Sequence, residues 1–545
     1  MGSRRPWGAE KLNRMHPLPF SLWFALLMFC RCVSASEFAH ITLNKEPNDH
    51  LESLAQISDS EVSLERTFLS PAHRRASTQL RVWMEEAGME TWVDAIGNVH
   101  GRINSSNPDA AAIVIASHFD TVLDGGKYDG ALGIIVGMAA IKHTVLQAAQ
   151  QAGVDLAGSI QQAGAPVPEA ARTAAQRTLR APLHLVAFSD EEGIRFKSTF
   201  LGSRAVVGSL VPNGMLDAQD RQGQSLRKVL EAEHAAAGKG SRPAEEIAAS
   251  LVLPPQSVKE YVEVHIEQGP VLEGLGVSLG AVSAIAGQTR LWVVVNGTQG
   301  HAGTVPMRGR ADALAAGASI ISAIEHICGG GPDAPPASDE ASENEMLVCT
   351  VGELRVWPGA SNVIPGSVQL SVDIRAKADM LRTSIVQQVK ADITRLCITR
   401  GVSCSVAQNH DAPAVLSDAG LVQDLVSAIR TSQPLLQQIL PSGGEAAECT
   451  GPGEQCKWGE NTEENDAGEA LASSPSACSG QGRDVPVLVS GAGHDTMAMA
   501  EITKVAMMFV RCRGGISHSP LEHTEPKDVA AASAALATFI AGRVL

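Results

Sequence analysis

Two runs, AAIVIAS (111–117) and LHLVAFS (183–189), stay almost wholly apolar over the length of a strand. A strand that faces water on one side alternates polar and apolar residues, whereas a strand covered on both faces has no reason to. These runs, with VAMMFV (505–510) farther on, call for a parallel sheet sandwiched by helices. The helices are supplied by DGALGIIVGMAAIKHTV and by PKDVAAASAALATFIAGRVL, in which Pro526 suits the first helical position. The alternation of the two element types predicts an α/β fold with a mainly parallel sheet.

The middle of the chain follows a different rule. QTRLWVVVNGTQGHAG, NEMLVCTVGELRVWP and SVQLSVDIRAK carry period-two patterning, and two helical stretches separate them. The order β-α-β-β-α-β is that of a ferredoxin-like α+β domain. Its expected span is 283–410, inserted into a larger domain built from 48–282 and 411–545. A chain of 545 residues is too long for one ordinary core, which agrees with two domains. Segments 147–180, 235–255, 329–345 and 440–483, rich in small and polar residues, read as surface insertions short of core residues.

Residues 1–35 read as a secretory leader. Arg4, Arg5, Lys11 and Arg14 precede the apolar run LPFSLWFALLMFC, and Val33 and Ala35 form a small-residue cleavage pattern. No later segment is apolar for long enough to cross a bilayer. The expected location is therefore the secretory pathway. A net charge of −16 argues against nucleic acid or an acidic membrane as a partner. The ten cysteines include no CxxC pair, so they do not propose a thiolate metal site. An oxidising compartment allows one or two disulfides.

Ligand chemistry gathers where the strands end. His118, Asp120 and Asp129 follow the first run, Glu191 and Glu192 the second, His265 closes VEVHI, and His518 follows VAMMFV. Open α/β sheets collect ligands at the carboxyl ends of their strands. His118, Asp129, Glu192, His265 and His518 make five nitrogen and oxygen donors, more than one structural ion needs. They suit two divalent ions bridged by Asp129, with Mn²⁺ or Zn²⁺ favoured by the lack of sulfur. Asp120 is suited to orienting His118. Adjacent glutamates point apart, so Glu192 can bind metal while Glu191 acts as the base.

The motifs SHFDTV, GKYDG, FSDEEG, HIEQG, GHAGTVPM, SNVIPG, DIR, SGAGHD and GISHSP together resemble the di-metal amidohydrolases of the aminoacylase/carboxypeptidase-like superfamily. Within it they are most similar to the branch acting on N-carbamoyl and ureido compounds. The likeness runs from about Leu51 to the end of the sequence. It implies a catalytic domain with an inserted lid or dimerisation domain, the five ligands above, and hydrolysis of a ureido C–N bond. It also implies a small ureide substrate, a homodimer, Mn²⁺ and the endoplasmic reticulum. Gln268, His301, Asn362, Arg375 and His494 correspond to substrate-contacting positions, and in relatives the lid histidine can come from the partner subunit. A non-catalytic ureide-binding protein is the alternative class; loss of Glu191 would be its mark, and Glu191 is present.

Overall fold

The computed structural model describes residues 35–156, 159–160, 162–329, 346–440 and 484–545. The leader, most of the expected insertions at 329–345 and 440–483, and Cys30, Cys32, Cys449, Cys456 and Cys478 lie outside them.

At the centre of the larger sheet run four parallel strands, in the spatial order Leu183–Phe188, Ala112–His118, Val258–Ile266 and Val505–Val510. Every residue of the first, second and fourth is buried, as the unbroken apolar runs require. The sheet is mixed at its flanks: Val99–Ile103 and Leu279–Ile285 pair antiparallel with the outer members of this group.

The helix Ala131–Gln151 lies under the sheet and packs against Pro526–Val544. It is apolar all round, and such a helix must be buried. By length and composition it could cross a membrane, contrary to the expectation that no such segment follows the leader. Instead 94% of its apolar window is buried inside the protein, so it is a core helix. Its one cation, Lys142, is fully buried. The ammonium donates to both oxygens of Glu46 at 2.8 and 2.9 Å and to the Ala165 carbonyl at 2.7 Å.

This contact shows that the larger domain begins before the expected residue 48. Phe38, Ile41 and Leu43 are already buried. Two of the expected surface insertions are also structural. Within 147–180, Leu156, Ile160, Ala171 and Ala175 are buried, and within 235–255 so are Ala244, Ile247 and Ala248. Alanine-rich composition misleads here, because a short helix can bury alanines where larger side chains would not fit.

The inserted domain is an antiparallel sheet covered on one face by helices Ala313–Ile327 and Asp379–Arg400. Ser367–Ala376 and Gly287–Asn296 pair in the middle, and Ser403–Ala412 flanks the latter. The other edge is one strand broken in two, Leu347–Thr350 and Leu354–Trp357. The spatial order is that of a ferredoxin-like sheet. Burial alternates strictly along Ser367–Ala376, so one face reaches the helices and the other does not. Two disulfides staple this domain, Cys328–Cys349 and Cys397–Cys404. Cys512, buried in the larger domain, is the free thiol among the described residues.

Candidate metal centre and active-site cleft

The carboxyl ends of the four parallel strands open into a cleft of about 800 Å³ between the two domains. His118 is the last residue of its strand and His265 the penultimate residue of the neighbouring one. Parallel pairing brings their Nε2 atoms to 3.4 Å. Each ring has its other nitrogen occupied. His265 Nδ1 lies 2.9 Å from the Ile266 carbonyl oxygen, and His118 Nδ1 lies 3.2 Å from the Asp120 carbonyl oxygen and 3.4 Å from Oδ1. Both Nε2 atoms are thereby presented to a shared point.

Asp129 occupies that point. Its Oδ1 is 3.1 Å from His265 Nε2 and 3.7 Å from His118 Nε2, while Oδ2 is 3.1 Å from His518 Nε2. Glu192 Oε1 lies 3.4 Å from the same His518 nitrogen. The donors form two clusters that share Asp129, one with His118 and His265 and one with Glu192 and His518. Asp129 would thus serve both clusters if each held a cation, and the all-nitrogen-and-oxygen, largely buried donor set fits divalent ions such as Mn²⁺ or Zn²⁺. Burial alone would raise the Asp129 carboxyl. Hydrogen bonds from His118, His265 and His518 more than reverse this and hold it well below the usual range.

Local backbone makes the convergence possible. Gly130 opens the helix at φ +62°, and a Cβ there would lie 2.5 Å from His118 ring atoms. Gln268 and His518 adopt φ of 56° and 53°, a conformation that side-chain-bearing residues seldom take. Such departures concentrate at functional sites. Here both side chains turn towards Asp129, and the Gln268 amide donates to Oδ2 at 3.1 Å.

Glu191 lines the cleft beside Glu192, and the two carboxylates share a cluster with His118. Burial pushes the Glu191 carboxyl well above the usual range against the pull of His118, and the neighbouring acids Glu192, Asp495 and Asp120 add to the rise. Asp120 does not face the cleft. Its carboxylate accepts the backbone N–H groups of Glu191 and Glu192, and so ties the His118 strand to the acidic loop.

The remaining expected residues divide. Gln268 and Arg375 line the cleft; Arg375 also donates to Asp373 at 2.8 Å and to the Gly491 carbonyl at 2.7 Å. His494 is buried behind His265, their rings edge-to-face at 4.5 Å, and is not on the wall. His301 and Asn362 are exposed residues at a two-stranded ribbon of the inserted domain, and neither lines the cleft of its own chain.

Two residues close to His518 in sequence went unassigned, Ser517 directly before it and Glu522 four residues after. Ser517 donates to Asp129 Oδ2 at 3.2 Å, and Glu522 accepts the backbone N–H groups of Tyr128 and Asp129 at 2.8 and 3.0 Å. Their proximity to His518 in sequence was the available signal.

The profile of peptidase family M20/M25/M40 matches residues 163–542. The chain belongs to this family. Among curated members it is 42% identical over 504 residues to the allantoate deiminase of Arabidopsis thaliana, covering 91% of this chain and 82% of that protein. It is 31% identical over 491 residues to the N-carbamoyl-L-amino-acid amidohydrolase of a Pseudomonas species, covering 90% and 96%. Among solved structures, a hydantoinase/carbamoylase family amidase from Burkholderia ambifaria superposes with a TM-score of 0.67 at 25% identity, over 92% of this chain and 99% of that one. That superposition extends over most of the fold described above.

Proposed function

We propose that this M20-family hydrolase of carbon–nitrogen bonds acts on allantoate, giving ureidoglycine, ammonia and CO₂. The observation that carries the reading is similarity over most of the chain, 42% to an allantoate deiminase against 31% to an N-carbamoyl-amino-acid amidohydrolase, joined to a complete donor set around Asp129.

His118, His265 and Asp129 would hold one ion, and Asp129, Glu192 and His518 the other. When bound, the pair supplies positive charge that polarises the ureido carbonyl and makes water a stronger acid. Glu191 takes the proton from the attacking water and returns it to the leaving nitrogen as the C–N bond breaks. The other product is carbamate, which falls to CO₂ and ammonia. Arg375, fixed by Asp373, offers its guanidinium edge to the substrate carboxylate, and Gln268 holds the ureido group.

Placement of His301 and Asn362 away from their own cleft supports a homodimer in which each subunit lends these residues to the other. The disulfides of the inserted domain support an oxidising, secretory location, and Mn²⁺ is the metal we assign.

The test is ammonia release by Mn²⁺-loaded protein from allantoate, ureidoglycolate and N-carbamoyl-amino acids. The highest kcat/KM is expected for allantoate, and no ammonia from allantoate overturns the reading. Mixing His301→Ala with Glu191→Gln subunits should regenerate activity if the sites are shared, because one cleft of each mixed dimer then has every residue.

A further inference from the structure

One fully buried carboxylate has no part in the chemistry above. Glu263 stands on the strand Val258–Ile266, two residues before His265 and therefore on the same side of the sheet. A lone acid in a central strand, closed off from water, needs hydrogen-bond donors or it destabilises the fold.

Its donors come from two strands and the start of a short helix, Thr496–Met499. Oε1 accepts the Ser117 hydroxyl at 3.3 Å, and Ser117 directly precedes His118. Oε2 accepts the Thr496 backbone N–H at 3.0 Å and the Thr496 hydroxyl at 2.7 Å; Thr496 lies two residues beyond His494. Oε2 also accepts the Tyr261 hydroxyl at 3.0 Å, within its own strand. The ties to Ser117 and Thr496 fall within two residues of His118 and His494, and Glu263 itself lies two residues from His265, so the carboxylate touches all three segments of one histidine cluster. His118 and His265 lie 5.6 Å apart ring to ring, and His265 and His494 lie 4.5 Å apart.

We infer that Glu263 is a positioning residue for the metal centre: its carboxylate clamps the His118 strand, the His265 strand and the His494 loop into one register, and so sets the spacing of the imidazoles before any ion arrives. Both carboxylate oxygens are engaged, Oε1 by one donor and Oε2 by three. A leucine of similar size offers no acceptor and leaves these donors without their partner, which breaks the clamp. The inference rests on the reading that His118 and His265 hold metal, and it assigns Glu263 no contact with substrate.

The test compares wild type with Glu263→Leu, using the full chain and Mn²⁺ alone as the probe. Metal-free protein is titrated with Mn²⁺ by calorimetry, and kcat and KM are then measured at saturating Mn²⁺. The expected result is Mn²⁺ affinity weakened about 10- to 100-fold, as for other groups that orient metal ligands, with kcat lowered and KM nearly unchanged. A residue that only supports the fold would lower the melting temperature and leave Mn²⁺ affinity and kcat as they were; that outcome overturns the inference.

Should Glu263→Leu fail to fold, the pair Ser117→Ala with Thr496→Val removes two hydroxyl donors and keeps the carboxylate. It should fold and still lose Mn²⁺ affinity, and wild-type affinity in that pair overturns the inference equally. A wild-type protein that takes up no Mn²⁺ would instead overturn the metal reading itself, so the two failures are distinct.

Discussion

Asp120 Oδ1 accepts the backbone N–H of Glu191 at 3.0 Å. One carboxylate thereby fixes where the acidic loop stands relative to His118, which lies two residues before it in the sequence. Asp120→Asn keeps the shape but offers an amide in place of one acceptor. Metal affinity and kcat should each fall about 10- to 100-fold, read by Mn²⁺ titration and steady-state rates. Values equal to wild type would show that the loop holds its place without this tie.

Glu191→Gln separates proton transfer from metal binding. Turnover should drop about 10²- to 10⁴-fold, the range for loss of a general base, while two Mn²⁺ ions still bind. A rate within threefold of wild type would remove Glu191 from the mechanism.

The buried pair Lys142–Glu46 predicts a large stability effect far from the cleft. Glu46→Ala strands an ammonium inside the core, at a cost of about 3–5 kcal/mol in unfolding free energy by denaturant titration. A change below about 1 kcal/mol would mean that water reaches Lys142.

Acid should weaken the fold through His73 and His143. Burial lowers both to about 4 from an ordinary 6.5, with Asp120 opposing the shift at His73. A lowered value means the folded protein resists protonation that the unfolded chain accepts. The stabilisation is complete above about pH 6.5 and is lost as pH falls towards 4, at about 3 kcal/mol for each ring. Replacing His143 by Gln should flatten that part of the stability profile measured by thermal unfolding; an unchanged slope would refute the assignment.

How much of this could be read from residues alone depended on where the information lay. Strand ends were legible because an apolar run announces a buried strand, and His118, Glu192 and His265 stand at or just past such runs. His518 was legible through its motif. Glu263 was not, since an acid inside VEVHI resembles an ordinary polar strand position. Its meaning comes from Ser117 and Thr496, brought over from a neighbouring strand and a short helix. His494 was read as a substrate contact, yet folding puts its ring behind His265. The orientation of a loop about its strand has no signature in composition.

Val505–Val510 separates Val258–Ile266 from Leu279–Ile285, its neighbours on either side. Both of those strands leave the ribosome long before it does. Throughout synthesis of the inserted domain, the backbone edge of Val258–Ile266 waits without its partner, and an open strand edge invites pairing with other chains. The same arrangement that assembles the cleft from distant segments therefore leaves this strand edge uncovered until the chain is nearly complete.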